Sequence, residues 1–187
     1  MSHKTRNTQW HVHVNAVNPS PQIRDWLTDR DSLTRKLIDH CQHFRVQRLR
    51  QQRARSLMDE CAAIELPRRV NVHEREVLLR CDDVPVVFAH TIVPLTATAS
   101  DWPFFSSLGE RSLGTTLFGD PQVSRGALQF TRLHSEHPLA QRACAAMGVQ
   151  ALDTPLFARR CLFKRKNGLL LVTEIFLPTL FNKQNNR

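Results

Sequence analysis

The spacing of apolar residues changes near residue 44, from a helical period to an alternating one. Before that point Ile23, Trp26 and Leu27 recur at i, i+3 and i+4, which is one face of a helix. The string Asn18-Pro19-Ser20-Pro21 leads into them. Ser20 suits an N-cap, and Pro21 suits the first helical position, where its missing N–H costs nothing. Ser32 can cap a second run with Leu33, Leu37 and Cys41 at i, i+4 and i+8. The expected helical stretch therefore runs from Pro21 to Gln42 in two parts, with residues 1–19 as a lead-in. From Phe44, apolar Phe44 and Val46 alternate with Arg45 and Gln47 as in a short strand. Residues 51–70 are polar, irregular and broken by Pro67, and read as an excursion over the surface.

The remainder is strand-rich. Glu76 to Arg80 and Val86 to Val93 flank the turn residues Asp82-Asp83, which predicts a hairpin ending at Pro94. Trp102 to Phe118 carries Ser106, Gly109 and Gly114 and reads as a loop feeding a short helix. Gly126 to Arg132 alternates again, and Pro138 to Met147 reads as a helix whose C-cap is Gly148. Arg160 to Arg165 and Leu169 to Phe176 flank Lys166-Asn167-Gly168. Asn-Gly between apolar runs is a strong hairpin signal, because both turn positions need positive φ. Helices followed by a mostly antiparallel sheet with helical insertions predict a single α+β domain, which suits 187 residues.

Composition adds a question about partners. Lys and Arg number 26 against 17 Asp and Glu, a formal net charge of +9, so nucleic acid, an anionic membrane surface and a small acid are all candidates. Arg45, Arg48, Arg50, Arg53 and Arg55 form the densest basic cluster. No helix-turn-helix, zinc-finger or aromatic RNA-binding pattern accompanies it, which favours a solvated strand edge, where charge discourages aggregation, over phosphate contact. The five cysteines make no C-x-x-C pair and are expected to be free thiols in a reducing compartment. Met1 to Gln9 lacks an apolar signal region, and no apolar run approaches the ~18 residues that a membrane span requires. A soluble, cytoplasmic protein is expected. His11 with His13, and His40 with His43, lack the carboxylate or cysteine partners of a metal site and read as surface histidines.

Polar residues embedded in strands carry more information. Arg75 and Glu76 open the Val77-Leu78-Leu79 strand, and parity puts Glu174 on the face of Leu170, Val172 and Phe176. A carboxylate on an apolar face is costly unless a cation, a hydrogen-bond network or a ligand meets it. Two readings stand side by side: an internal Arg–Glu structural pair, or a pocket with a cationic and an anionic end for a small polar acid.

Several blocks occur in order: Asp25-Trp26-Leu27, Asp31-Ser32-Leu33-Thr34, Arg75-Glu76-Val77-Leu78-Leu79, Thr91-Ile92-Val93-Pro94, Leu113-Gly114 with Leu117-Phe118, and Thr173-Glu174-Ile175-Phe176-Leu177-Pro178. Together they resemble the chorismate pyruvate-lyase family over nearly the whole chain. The resemblance implies an antiparallel sheet with helical flaps over an internal ligand site. It implies cleavage of chorismate to 4-hydroxybenzoate and pyruvate, the opening step of ubiquinone synthesis, without metal or organic cofactor. By the same resemblance Arg75 binds the ring carboxylate, the backbone at Leu33 and Leu113 lines that end, and Glu174 stands at the opposite end. Glu174 could donate a proton there only if it is held protonated. The implied partner is chorismate alone, with no nucleic acid, no membrane insertion and a monomeric chain. Two departures are visible. His90 stands where the family pattern has an Arg, which leaves a second cation unassigned, and Leu133 to Phe157 is long, with an added helix. The alternative is a non-catalytic ligand-binding module akin to the effector domain of GntR-type regulators. Fewer than twenty residues before the first helix leave no room for the winged-helix domain such regulators carry.

Overall fold

The computed structural model describes residues 8–182. Strands β1 (Phe44–Arg55), β2 (Asn71–Cys81) and β3 (Val84–Pro94) form one antiparallel meander. Strands β4 (Val123–Leu133), β5 (Leu156–Arg165) and β6 (Gly168–Phe176) form another. Pairing of β3 with β6 joins them into one six-stranded sheet of order β1-β2-β3-β6-β5-β4. Helices α1 (Pro21–Thr28), α2 (Leu33–His40) and α4 (Leu113–Gly119) cover one face, while α3 (Met58–Cys61) and α5 (Pro138–Met147) cover the other. Helix α6 (Pro178–Asn182) follows β6. This is the expected α+β architecture with helical flaps.

Local chemistry accounts for the helix ends. Ser20 Oγ accepts from the Ile23 N–H at 3.3 Å with Pro21 just inside α1, and Gly148 closes α5 at φ +75°. On the flap side Trp26, Leu27, Leu33 and Leu37 pack against Val46, Val77, Leu79, Phe130 and Phe176. Leu37 is fully buried, so truncating it to Ala removes about 2–5 kcal/mol. On the other side Leu139, Ala140 and Ala143 of α5 pack on Leu78, Phe88, Ala158 and Ile175. The long Leu133–Phe157 segment thus supplies the cover for the second face.

Three expectations need correction. Residues 51–70 are not an excursion: β1 continues to Arg55, and α3 then buries Glu60 and Cys61, followed by buried Ile64. The polar outer positions of an edge strand concealed this. Nor are all five cysteines free thiols. Cys41 and Cys81 are joined, with Cα atoms 5.4 Å apart, because the end of α2 lies against the end of β2; Cys61, Cys144 and Cys161 are free and buried. Lastly, the β5–β6 hairpin exists, but Arg165 pairs with Gly168, so the turn residues are Lys166 and Asn167. Gly168 serves another purpose, since a Cβ there would lie 2.5 Å from Asp101 Cβ and 2.9 Å from Trp102 Nε1. The β2–β3 turn is as expected, with Asp82 and Asp83 at φ 49° and 62°.

Candidate active site

Alternation along the central strands sends one set of side chains under the flaps. Two cross-strand rows define the floor: Val77, Ala89, Glu174 and Arg159 in one, Arg75, Thr91, Val172 and Cys161 in the next. All eight line a cavity of about 630 Å³, its open mouth included. Leu33 and Thr34 of α2, with Leu113, Gly114, Leu117 and Phe118 of α4, form its roof. Apolar residues dominate, and the charged groups enter at a few defined points, as in a small-ligand pocket.

The two roof helices meet at their N-termini. Thr34 Oγ1 and Ser112 Oγ lie 2.6 Å apart, and Ser112 Oγ also accepts from the Thr115 N–H at 3.4 Å. A Cβ on Gly114 would come within 3.2 Å of both Ser32 Oγ and Thr34 Oγ1, so the close approach favours glycine. Leu33 and Leu113 are the first residues of their helices. First-turn N–H groups have no partner within a helix and carry the positive end of its dipole, so this junction favours an anion.

Arg75 is 2% exposed and reaches from β2 into the cavity wall. Its Nη2 donates to the carbonyls of Gly109 at 3.0 Å and Arg111 at 2.9 Å, which fixes the segment leading into α4. Its buried Nε has no hydrogen-bond partner among the described residues. Burial, and then repulsion from Arg48, lower its pKa to about 10, and it makes no ion pair among the described residues. An uncompensated buried guanidinium is costly, and a carboxylate ligand would remove that cost.

Glu174 is compensated. Arg159 Nε donates to Glu174 Oε2 at 2.5 Å, directly across the β5–β6 ladder. Arg159 Nη1 donates in addition to the carbonyls of Trp26, Leu27 and Asp29 at 3.0, 3.3 and 2.7 Å, tying the end of α1 to the sheet. The embedded carboxylate is therefore half of an internal Arg–Glu pair, formed with Arg159, and that pair lines the cavity. This contact makes Glu174 Oε2 the acceptor of the Arg159 Nε–H. The expected residues Leu33, Arg75, Leu113 and Glu174 all come together in one cavity. Arg159 and Arg125 line it too, and sequence reasoning missed both.

His90 is not in the cavity. It lies between Ala89 and Thr91, which face the flaps, so it projects to the opposite face beneath α3 and α5. Its Nε2 is 2.8 Å from Glu60 Oε1 and its Nδ1 is 3.2 Å from Glu76 Oε1. Burial alone would lower its pKa, but Glu60 and Glu76 overcome that and raise it to about 9. Burial would likewise raise the Glu76 pKa, and His90 and Arg142 lower it instead. Glu74, Glu76 and His90 bring possible metal-ligand atoms within 4.8 Å of one another. Arg142 Nη1 already bonds Glu74 at 2.8 Å and Glu76 at 2.6 Å, so a guanidinium stands where a metal cation would be attracted.

An antiparallel sheet with flaps over a polar cavity is a ligand-enclosing fold. Among solved structures it is similar to the effector domain of PhnF from Mycobacterium smegmatis (TM-score 0.51, 14% identity, 80% of this chain and 90% of that one). It is also similar to a GntR-family transcriptional regulator from Bacillus cereus (TM-score 0.53, 11% identity, 73% and 92%). At these identities the likeness concerns the fold alone.

Sequence relatedness is closer in a different direction. The family model described as chorismate lyase matches residues 4–186. A probable chorismate pyruvate-lyase of Ralstonia nicotianae is 47% identical over 161 residues, covering 83% of this chain and 80% of the relative. Another from Cupriavidus pinatubonensis is 42% identical over 180 residues, covering 95% and 92%. The chain belongs to the chorismate lyase family.

Proposed function

We propose that this protein converts chorismate to 4-hydroxybenzoate and pyruvate, the first step of ubiquinone biosynthesis, in the cavity beneath α2 and α4. One observation carries the reading beyond family membership: a buried, uncompensated guanidinium, Arg75, in a cavity that also holds the compensated carboxylate Glu174. The substrate carries a ring carboxylate para to a ring hydroxyl, so the two groups match the two ends of its ring. Arg75 binds the carboxylate with help from the N-termini of α2 and α4 at Leu33 and Leu113, and Glu174 accepts a hydrogen bond from the hydroxyl.

The reaction asks little else of the protein. The bond between the ring and the enolpyruvyl oxygen breaks, and the hydrogen on the hydroxyl-bearing ring carbon moves to the enolpyruvyl methylene. The ring becomes aromatic as pyruvate forms. Atoms balance without water, oxidant or reductant, and aromatisation supplies the driving force. The protein's contribution is to hold the enolpyruvyl arm over the ring and to keep water out beneath the flaps. The reading includes no metal or organic cofactor, and a monomeric chain acting in the cytoplasm without nucleic acid. No described helix is long and apolar enough to cross a membrane. The Arg45–Arg55 cluster lies along edge strand β1, where charge guards against sheet-to-sheet association.

The test is an absorbance assay with chorismate. Stoichiometric 4-hydroxybenzoate supports the reading. Binding without turnover favours the alternative, a small-ligand module of the GntR effector type, with which the chain shares only its fold.

A further inference from the structure

Three arginines line the cavity, and they differ in how the protein compensates them. Arg159 has Glu174 and three carbonyl oxygens. Arg75 has carbonyls alone. Arg125, half-buried on β4, has no carboxylate partner among the described residues either. Its Nε donates to Cys161 Sγ at 3.4 Å and its Nη1 to the Arg30 carbonyl in the α1–α2 loop. Its guanidinium lies 5.2 Å from the Phe118 ring centroid and 5.9 Å from that of Phe163. These contacts fix the guanidinium's place without neutralising it, and its Nη2 makes no hydrogen bond among the described residues. Of the two acids in the lining, Glu174 is held by Arg159, and Asp31 is exposed and forms no ion pair among the described residues.

The cavity therefore presents two uncompensated positive charges. They enter from opposite ends of one cross-strand row, since Arg75 begins the row that Cys161 ends, and Arg125 rests on Cys161. The substrate in the proposed reaction is a dianion, and the aromatic product keeps only one of its carboxylates. We propose that Arg125 binds the second carboxylate, on the enolpyruvyl arm, and so makes the site prefer substrate over product. The inference rests on the chorismate reading and deepens it. A guanidinium held against two aromatic rings, with its Nη2 unoccupied, fits a carboxylate through a charge-assisted hydrogen bond. Its bond to the Arg30 carbonyl also ties the α1–α2 flap to the arm's carboxylate.

The experiment compares ligands that differ only in the second carboxylate. Arg125→Gln should raise the chorismate KM by about 10- to 100-fold, the effect of losing one charge-assisted contact. The Kd of 4-hydroxybenzoate should move by less than about threefold, which also reports an intact fold. Arg125→Lys should recover part of the loss. Equal weakening of both ligands, or an unchanged chorismate KM, overturns the proposal. A measurement on the wild-type protein is independent of whether variants fold. 3-(Carboxymethoxy)benzoate should bind about tenfold or more tighter than 3-methoxybenzoate, and equal affinity overturns the proposal. Failure of the underlying reading is distinct, for then the wild-type protein makes no 4-hydroxybenzoate from chorismate.

Discussion

The two faces of the central sheet bury the same kinds of residue and treat them differently. Beneath α3 and α5, Glu60, Glu74 and Glu76 are matched by His90 and Arg142, with Arg50 at 3.6–3.7 Å from the outer two carboxylates. Arg160 on that face makes no ion pair among the described residues, but the charges of Asp59 and Glu60 oppose the lowering of its pKa by burial, and it donates to Gln129 Oε1 at 2.7 Å and to the Asp59 carbonyl at 2.8 Å. Beneath the flaps, Arg75 and Arg125 have no carboxylate partner among the described residues. A buried charge that finds its counter-ion in the chain is part of the structure; one that does not is, in the proposed reading, where the substrate supplies the counter-ion. Burial and residue type are shared by both faces, so neither alone separates them. Charge balance does.

The variant with the largest expected effect sits where this distinction fails. Arg159 lines the cavity yet is compensated by the protein, so Arg159→Met should lower both stability and turnover. Leaving Glu174 and the carbonyls of Trp26, Leu27 and Asp29 without their donor should cost about 3–5 kcal/mol in urea unfolding. Glu76→Gln should affect only one property. It leaves His90 and Arg142 undercompensated and costs about 3 kcal/mol, while the chorismate KM of the folded fraction stays within about twofold of wild type. A large rise in KM would mean that the second face acts on the site directly.

The second face should also be visible in pH dependence. The folded-state pKa of His90 is raised to about 9 from an ordinary 6.5. Its stabilising contribution is therefore full below about 6.5 and is lost as pH rises through about 9. The wild-type Tm should fall between pH 7 and 10, and His90→Gln, though less stable, should show a shallower fall. Equal slopes would remove His90 from the network. Smallest of all are substitutions on the β1 edge. Arg53→Ser and Arg55→Ser should each change stability by no more than about 0.5 kcal/mol and leave KM unchanged.

What the sequence disclosed follows the same division. Parity along single strands was enough to read the face of Glu174, and the capping residues Ser20 and Gly148 marked their helix ends. Pairing between strands was harder, because it depends on which two residues form a turn. Reading Asn167-Gly168 as the β5–β6 turn would put Cys161 opposite Glu174, whereas the actual turn, Lys166-Asn167, puts Arg159 there. A one-residue displacement of the turn thus hides the counter-ion that defines Glu174. The signal that could have corrected it is energetic, since a buried carboxylate calls for a cation and Arg159 is two residues from the misassigned partner. Helix α3 was hidden for a different reason. Leu57, Cys61 and Ile64 keep helical spacing, but the run is short and set among polar residues that the edge strand and the charge cluster require.

The most direct test is the effect of Arg75→Ala on chorismate turnover and on Tm in the same preparation. An uncompensated guanidinium kept for a ligand should be nearly dispensable for folding and indispensable for activity. The expected result is a fall in kcat/KM of about 100-fold or more, the scale of losing a buried charge pair to substrate, with a Tm within a few degrees of wild type. Turnover at the wild-type level would contradict the account, and so would a loss of activity that merely follows a collapse of the fold.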